Sequence, residues 1–307
     1  MDNKTVDLVV VLGHTAGGKT AFAAQLAHRI GGEIISADSR QVYRGMDIGT
    51  GKDYGDYLVE GERIPAYLID IVDAGYEYNV YLFKQDFLRV FNEIVDRDKV
   101  PVLCGGSGLY IESVLRNYKL LHVPVNSKLR EDLDTKSYEE LEGILRLYGP
   151  LHNETDTVNR KRLIRAIEIA MYQDSLPELP DELPAIRPLV LGIKHDRNIR
   201  RQRITERLKQ RLDEGLVEEV EGLMGQGITP EKMYYYGLEY RFLSQYILQK
   251  EPYDEMFSKL NTAIHQFAKR QMTYFRGMER RGIPIHWLDG QFTIEEKIEQ
   301  ALTLYFT

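Results

Sequence analysis

Gly13-His14-Thr15-Ala16-Gly17-Gly18-Lys19-Thr20 follows directly on the apolar run Leu8-Val9-Val10-Val11-Leu12 and leads into Ala21-Phe22-Ala23-Ala24-Gln25-Leu26-Ala27. The stretch fits the phosphate-loop pattern G-x-x-x-x-G-K-S/T in the strand-before, helix-after setting that pattern requires. A buried strand delivers the backbone into a turn too tight for large side chains. The turn's N–H groups then gather at a helix N-terminus, where unpaired donors and partial positive charge favour polyphosphate. The pattern gives Lys19 reach to the terminal phosphates and makes the Thr20 hydroxyl a ligand for Mg²⁺.

Working outward, short apolar runs near 7–12, 33–36, 67–72, 100–104, 189–194 and 283–287 read as buried strands. Helical stretches separate most of them, which is the pattern of an α/β fold: a P-loop NTPase-like parallel sheet flanked by helices. The regularity breaks between 124 and 186. There Lys128 to Tyr148 and Asn159 to Tyr172 carry apolar residues at three- and four-residue spacing, and a proline-rich segment from Leu176 to Pro184 follows. This predicts a core of 1–123 with 187–307, interrupted by a small all-helical insertion at 124–186. Past the insertion, a strand is expected at Pro188–Ile193, a long basic helix at 198–225, and further helices over 231–249 and 254–281.

Composition narrows the class. With 40 Lys and Arg against 47 Asp and Glu the net charge is −7, yet basic residues cluster at Lys194–Arg211, at Arg160-Lys161-Arg162 with Arg165, and at Lys269–Arg281. Such clusters in an acidic chain point to a local polyanion surface. The single cysteine, Cys104, excludes a disulfide framework and fits a reducing compartment. Its apolar surroundings make it a buried structural thiol. No apolar run reaches the ~18 residues of a membrane span, and no secretory leader is visible, so a cytoplasmic protein is expected.

Two further segments belong to the same sheet edge. The second strand ends at Ile34-Ile35-Ser36-Ala37-Asp38-Ser39-Arg40-Gln41. Ligands of open parallel sheets bind at the carboxyl ends of strands, so Asp38 should share the phosphate loop's crevice. There it would cap the next element, hold Mg²⁺ through water, or accept a proton. A later strand ends in a second glycine-rich turn, Gly105-Gly106-Ser107-Gly108, which brings a hydroxyl and more N–H groups.

With these motifs the chain resembles the tRNA dimethylallyltransferases (tRNA isopentenyltransferases). The family's G-P-T-A-S-G-K-T, D-S-x-Q-x-Y and G-G-T/S-G-L-Y appear as Gly13–Thr20, Asp38–Tyr43 and Gly105–Tyr110. Arg44–Thr50, Arg162–Glu168, Asp196-Arg197 with Arg203-Ile204 and Arg207, Gly215–Val220, Gln266–Gln271 and Thr273–Arg276 continue the match in order. The chain departs from the pattern at His14 and Gly17, at Ala66 and Tyr67 (two missing histidines), around Gly237-Leu238-Glu239, and at Ile264-His265. A chain without a cysteine/histidine finger is similar to the bacterial type.

The resemblance implies a prenyltransferase, acting as a monomer. It would move a dimethylallyl group from dimethylallyl pyrophosphate to the exocyclic N6 amine of the adenosine 3′ to the tRNA anticodon. Catalysis would fall to Asp38 as the base, Ser107 beside the breaking C–O bond, and Arg203 on the leaving group. Gly13, Thr15, Ala16, Gly17, Gly18, Lys19 and Thr20 would hold the pyrophosphate, with Mg²⁺ on Thr20. The anticodon stem-loop would meet Asp38, Ser39, Arg40, Gln41, Arg130, Lys161, Arg162 and Arg165. Three alternatives stand beside this reading: a small-molecule kinase using Asp70 or Asp73 as its metal partner, prenylation of free adenine nucleotides, and an RNA-binding homologue with reduced catalysis.

Overall fold

The computed structural model describes residues 6–149, 159–175, 185–249 and 251–307. The chain divides into two compact units, Met1–Asn117 with Ala185–Thr307, and Tyr118–Pro184. Its strands are β1 (Leu8–Gly13), β2 (Gly32–Ser36), β3 (Leu58–Val59), β4 (Glu62–Arg63), β5 (Ala66–Tyr67), β6 (Val100–Gly105), β7 (Pro188–Lys194) and β8 (His286–Asp289). The helices α1 to α6 span Lys19–Ile30, Val80–Val95, Gly108–Leu115, Ser127–Asp134, Tyr138–Arg146 and Arg160–Asp174. Those from α7 to α12 span Arg197–Asp213, Leu216–Gly225, Pro230–Tyr236, Leu238–Gln249, Tyr253–Arg280 and Ile294–Tyr305.

The larger unit is built on one parallel sheet of order β5-β2-β6-β1-β7-β8, with β3 and β4 forming a separate small hairpin. β1 lies between β6 and β7, with Val9 opposite Val102 on one side and Leu189 on the other. Both faces of the sheet are covered. Val9, Val11, Ile34, Val102 and Leu191 pack with Phe22, Ala23 and Leu26 of α1 and Ile298 and Ala301 of α12. Val10, Leu12, Ile35 and Leu103 have the opposite parity, so they point to the other face, and they too are fully buried. Burial on both faces is why these strands read as unbroken apolar runs. β2 is not next to β1: β6 lies between them, so the strand tips that carry the three motifs stand side by side.

Four expectations about elements need correction. The apolar run at 67–72 is a strand only through Tyr67, because Leu68 and Asp70 take left-handed backbone (φ 62° and 55°). The last strand begins at His286, after Pro284, which lacks the N–H a ladder needs. The long basic helix is two, α7 and α8, divided at Gly215 (φ 101°). Likewise 231–249 is α9 and α10, divided at Gly237 (φ 137°). The proline-rich 176–184 lies outside the described residues.

The smaller unit holds α4, α5 and α6 around Leu133, Leu141, Leu163, Ile164 and Ile167. The stretch Lys128–Tyr148 forms two helices, with Ser137 and Glu140 making a reciprocal cap at the start of the second. Beside this core sits Glu168, 2% exposed. It accepts from Arg130, from Arg165 and from the Asn126 N–H. Burial pushes its carboxyl up, but these donors outweigh burial and hold it at about 2. A depressed carboxyl stabilises the fold fully above its ordinary value of 4.5 and loses that contribution as pH falls toward 2. Amide protection at residues 163–167, taken relative to the intrinsic exchange rate at each pH, should therefore fall over that window. Glu168→Gln should exchange faster already at neutral pH, with its acid-dependent step gone. Parallel pH profiles for the two proteins would contradict this role.

Candidate active site

Backbone hydrogen bonds fasten the three strand tips together. The Ala37 N–H donates to the Cys104 carbonyl at 2.7 Å, and the Ser107 N–H to the Ala37 carbonyl at 3.2 Å. The Ser39 N–H donates to Ser107 Oγ at 3.1 Å, joining the loop after β2 to the loop after β6. From α11, Gln271 ties the third tip: Oε1 accepts from the Thr15 N–H at 2.9 Å and Nε2 donates to the Gly106 carbonyl at 3.0 Å. One glutamine thus spans both glycine-rich loops.

These contacts close around a cavity of about 340 Å³, whose wall includes Thr15, Ala16, Lys19, Thr20, Asp38, Ser39, Arg40, Gln41 and Ser107. A second cavity, of about 760 Å³, shares Ala16, Lys19, Thr20, Arg207 and Arg211 with it and adds Gly17, Gly18, Asp53, Asp56 and Arg203. Lys19, Thr20, Asp38 and Ser107 therefore meet on a common wall, as the sheet-edge argument requires.

The predicted residues are not all placed alike. Asp38 Oδ1 accepts from the Arg40 N–H at 2.9 Å in an Asx turn, and its other oxygen has no partner among the described residues. Lys19 Nζ donates to the His14 carbonyl at 2.8 Å. Burial draws its pKa down, while Cys104 and Asp38 push the other way. Arg203 lines the second cavity and not the first, with Nε on the Ala16 carbonyl at 2.9 Å. Gly13 lines neither cavity, and the Thr15 N–H is already taken by Gln271. Arg40 lies 4.6 Å over the Tyr235 ring. Gln41 is engaged at both ends of its amide, Oε1 with Ser36 Oγ and Nε2 with the Gly51 carbonyl, each at 3.0 Å.

In the smaller unit, Lys161 and Arg162 are exposed, and among the described residues only their N–H groups are bonded, to the Asn159 cap. Arg130 and Arg165 are committed to Glu168. Cys104 is buried as expected, and burial lifts its thiol to about 12, so it is no nucleophile. The acidic pair offered for a kinase is occupied elsewhere: Asp70 by Lys52 and Tyr54, Asp73 by Arg44 at 2.8 Å. Neither lines a cavity described above.

The motif departures acquire physical reasons. His14 is fully buried under the loop, edge-on to His195 with ring centroids 5.4 Å apart. Burial, set against a hydrogen bond to the Thr15 carbonyl, leaves it neutral with a pKa of about 3. A Cβ at residue 17 would lie 2.9 Å from the His14 carbonyl oxygen and 3.5 Å from its ring. The tight contact is with main chain, so it disfavours a side chain at 17 whatever residue stands at 14. Tyr67 bonds Glu33 at 2.9 Å, and neither Ala66 nor Tyr67 lines either of the two cavities described above. Ile264 does line the first cavity, and His265 turns to Thr205 at 3.3 Å.

Several contributors have no place at this cavity in the sequence reading. Gln271, Arg207, Arg211, Tyr57 and Glu239 all line the first cavity. Glu219 supports it from behind: its carboxylate accepts from the N–H groups of Asp47, Ile48 and Gly49 at 2.8, 2.7 and 3.0 Å, and from Tyr240 Oη at 2.7 Å. Gln271, Arg207 and Glu219 stood inside motifs, but nothing local told what they face. The basic stretch on α7 reads in sequence as part of a polyanion surface, with Arg203 on the leaving group. Its spacing of four turns Arg203, Arg207 and Arg211 toward the loop and cavities.

A family model described as IPP transferase matches residues 41–278. tRNA dimethylallyltransferase 2 of Bacteroides fragilis is 56% identical over 292 residues, 95% of each chain. The protein of the same name from Phocaeicola vulgatus is 54% identical over 301 residues, 98% of each. The crystal structure of the full-length tRNA isopentenylpyrophosphate transferase from Bacillus halodurans superimposes with a TM-score of 0.71 at 30% identity, covering 97% of this chain and 95% of that one.

Proposed function

Because this chain belongs to the IPP transferase family, we propose that it transfers a dimethylallyl group from dimethylallyl pyrophosphate to N6 of the adenosine 3′ to the tRNA anticodon, acting as a monomer in the cytoplasm. The observation that carries the reading is the shared wall on which Lys19, Thr20, Asp38 and Ser107 meet.

An exocyclic adenine amine is a weak nucleophile until it loses a proton, and an allylic diphosphate leaves only when its growing charge is met. The Asp38 oxygen without a partner takes the N6 proton as the N–C bond forms. The C–O bond to the diphosphate breaks as that charge grows. Lys19, the loop N–H groups of residues 16–20 and Arg203 stabilise the departing oxygens. Ser107, which accepts from the Ser39 N–H, keeps its own O–H to donate at the donor's bridging oxygen. The base must leave its stack to reach Asp38, at a cost of about a few kcal/mol. Exposed Lys161 and Arg162 meet RNA phosphates, while Arg130 and Arg165 hold the helix that carries them. Ser39 and Arg40 stand nearest Asp38 to meet the base.

Among the described residues no three His, Cys, Asp or Glu side chains form a metal cluster. The fit is to Mg²⁺ brought with the diphosphate and completed by water, with Thr20 as its protein ligand. It would supply Lewis-acid neutralisation of the phosphate oxygens.

The test is nucleoside mass spectrometry of undermodified tRNA incubated with the protein and dimethylallyl pyrophosphate. One dimethylallyl group should appear on the adenosine following the anticodon, with ATP left unconsumed in a parallel reaction. Prenylation of AMP in preference to tRNA, or hydrolysis of ATP with no prenylated nucleoside, would overturn the proposal. Among the described residues no helix is long and apolar enough to cross a membrane.

A further inference from the structure

On the cavity-facing side of α7, Arg211 differs from its two neighbours. Arg203 has the Ala16 carbonyl and Arg207 has Asp53. Arg211 is 9% exposed and lines both cavities, yet its nearest acidic oxygen, Glu239 Oε1, lies at 3.6 Å. That is an ion pair beyond hydrogen-bond reach. Among the described residues the guanidinium has no hydrogen-bond acceptor at all, although it carries five donors. Leaving a largely buried guanidinium without a protein acceptor is costly. Its open side is the cavity.

The surroundings are shaped to bring two guanidinium groups together there. Gly51 has φ 68°, and a Cβ on it would overlap the Arg211 guanidinium and come within 2.9 Å of that of Arg207. Burial and the charge of Arg211 lower the pKa of Arg207, which Asp53 and Asp56 partly restore. Two like charges side by side, one of them short of acceptors, make a doubly charged anion the natural occupant. Glu239, partly buried at 17% exposure, is the carboxylate that balances Arg211, and it stands in a segment where the chain departs from its family's pattern.

We propose that Arg207 and Arg211 form a second anion-binding arm for the donor's diphosphate, complementing the phosphate loop, and that Glu239 is a positioning residue that holds Arg211 and competes with the diphosphate for it. This rests on the diphosphate reading given above. The competition has a consequence: Glu239 weakens the hold on the pyrophosphate product and so assists its release.

Calorimetric titration of the full chain with inorganic pyrophosphate and Mg²⁺ tests this. Arg211→Gln should bind about tenfold more weakly or worse, as expected for the loss of a charge-assisted contact. Glu239→Gln should bind at least about threefold more tightly, with a lower KM for the donor and a lower kcat, because removing a nearby negative charge favours an anion. A gain in affinity cannot come from damaged folding. The pair substitution Arg211→Met with Glu239→Met keeps the volume, removes both charges, and should bind as weakly as Arg211→Gln. Lys19→Ala separates the two levels of the argument. If it loses pyrophosphate while Arg211→Gln and Glu239→Gln bind like the parent, the second arm is wrong. If Lys19→Ala also binds like the parent, the diphosphate reading itself falls. Weaker binding of an anticodon stem-loop by Arg211→Gln, with pyrophosphate unaffected, would hand the arm to an RNA phosphate and overturn the proposal.

Discussion

Asp38→Asn should bind an anticodon stem-loop as the parent does while its single-turnover transfer rate falls by about 10²–10⁴-fold, the range expected for loss of a positioned general base. The substitution is chosen because it leaves the local turn alone. Asp38 accepts the Arg40 N–H through Oδ1 at 2.9 Å and donates its own N–H to Ser36 Oγ at 3.3 Å. An asparagine carbonyl accepts the first bond equally well, and the second is main chain. What changes is the other oxygen, the one without a partner, which becomes an NH₂ that cannot take a proton. Fluorescence anisotropy with labelled stem-loop gives the binding arm, and quenched single-turnover reactions give the chemical arm. A rate within tenfold of the parent would remove Asp38 as the base. Loss of RNA affinity in step with rate would instead make it a contact residue.

How much of this was legible depends on how far apart in sequence the cooperating groups lie. β1, β2, β6 and β7 announce themselves because strands buried on both faces must be apolar throughout. The run at 67–72 looked the same and was not the same. Buried Lys52 takes the Asp70 carboxylate, together with Asp47 at 2.8 Å and the Tyr43 carbonyl at 2.6 Å, while residues 68 and 70 turn left-handed. No pattern within six residues reports a lysine eighteen positions away. Loop glycines, Lys19, Asp38 and Ser107 were legible because strand-tip position alone fixes which edge they occupy.

Gln271, Arg211 and Glu219 were not legible, since each acts on a loop at least 160 residues distant. Their helices show a periodicity that says which face is buried and nothing of what lies opposite. Arg130 and Arg165 illustrate the converse. Basic residues on a helix read as solvent- or RNA-facing, yet a single buried carboxylate, Glu168, claims both.

The loop that follows β2 offers the other large effect. Replacing Glu219 by alanine should destabilise the protein by about 3 kcal/mol or more and raise the donor KM, because four donors lose one acceptor. The main-chain N–H groups of Asp47 and Ile48 point at Oε2, while Gly49 N–H and the Tyr240 hydroxyl point at Oε1. Gly49, Thr50 and Gly51 then continue into the wall of the first cavity. A carboxylate at the start of α8 thus sets the loop that frames the site. Glu219→Gln sorts this role from a general loss of charge. Its carbonyl can still receive Asp47 and Ile48, but its NH₂ would face the Gly49 N–H, while the tyrosine hydroxyl can turn to accept. The glutamine variant should therefore fall between parent and alanine in both melting temperature and KM, with kcat least affected. If alanine and glutamine melt alike and both keep the parent's KM, the loop is held by something other than Glu219.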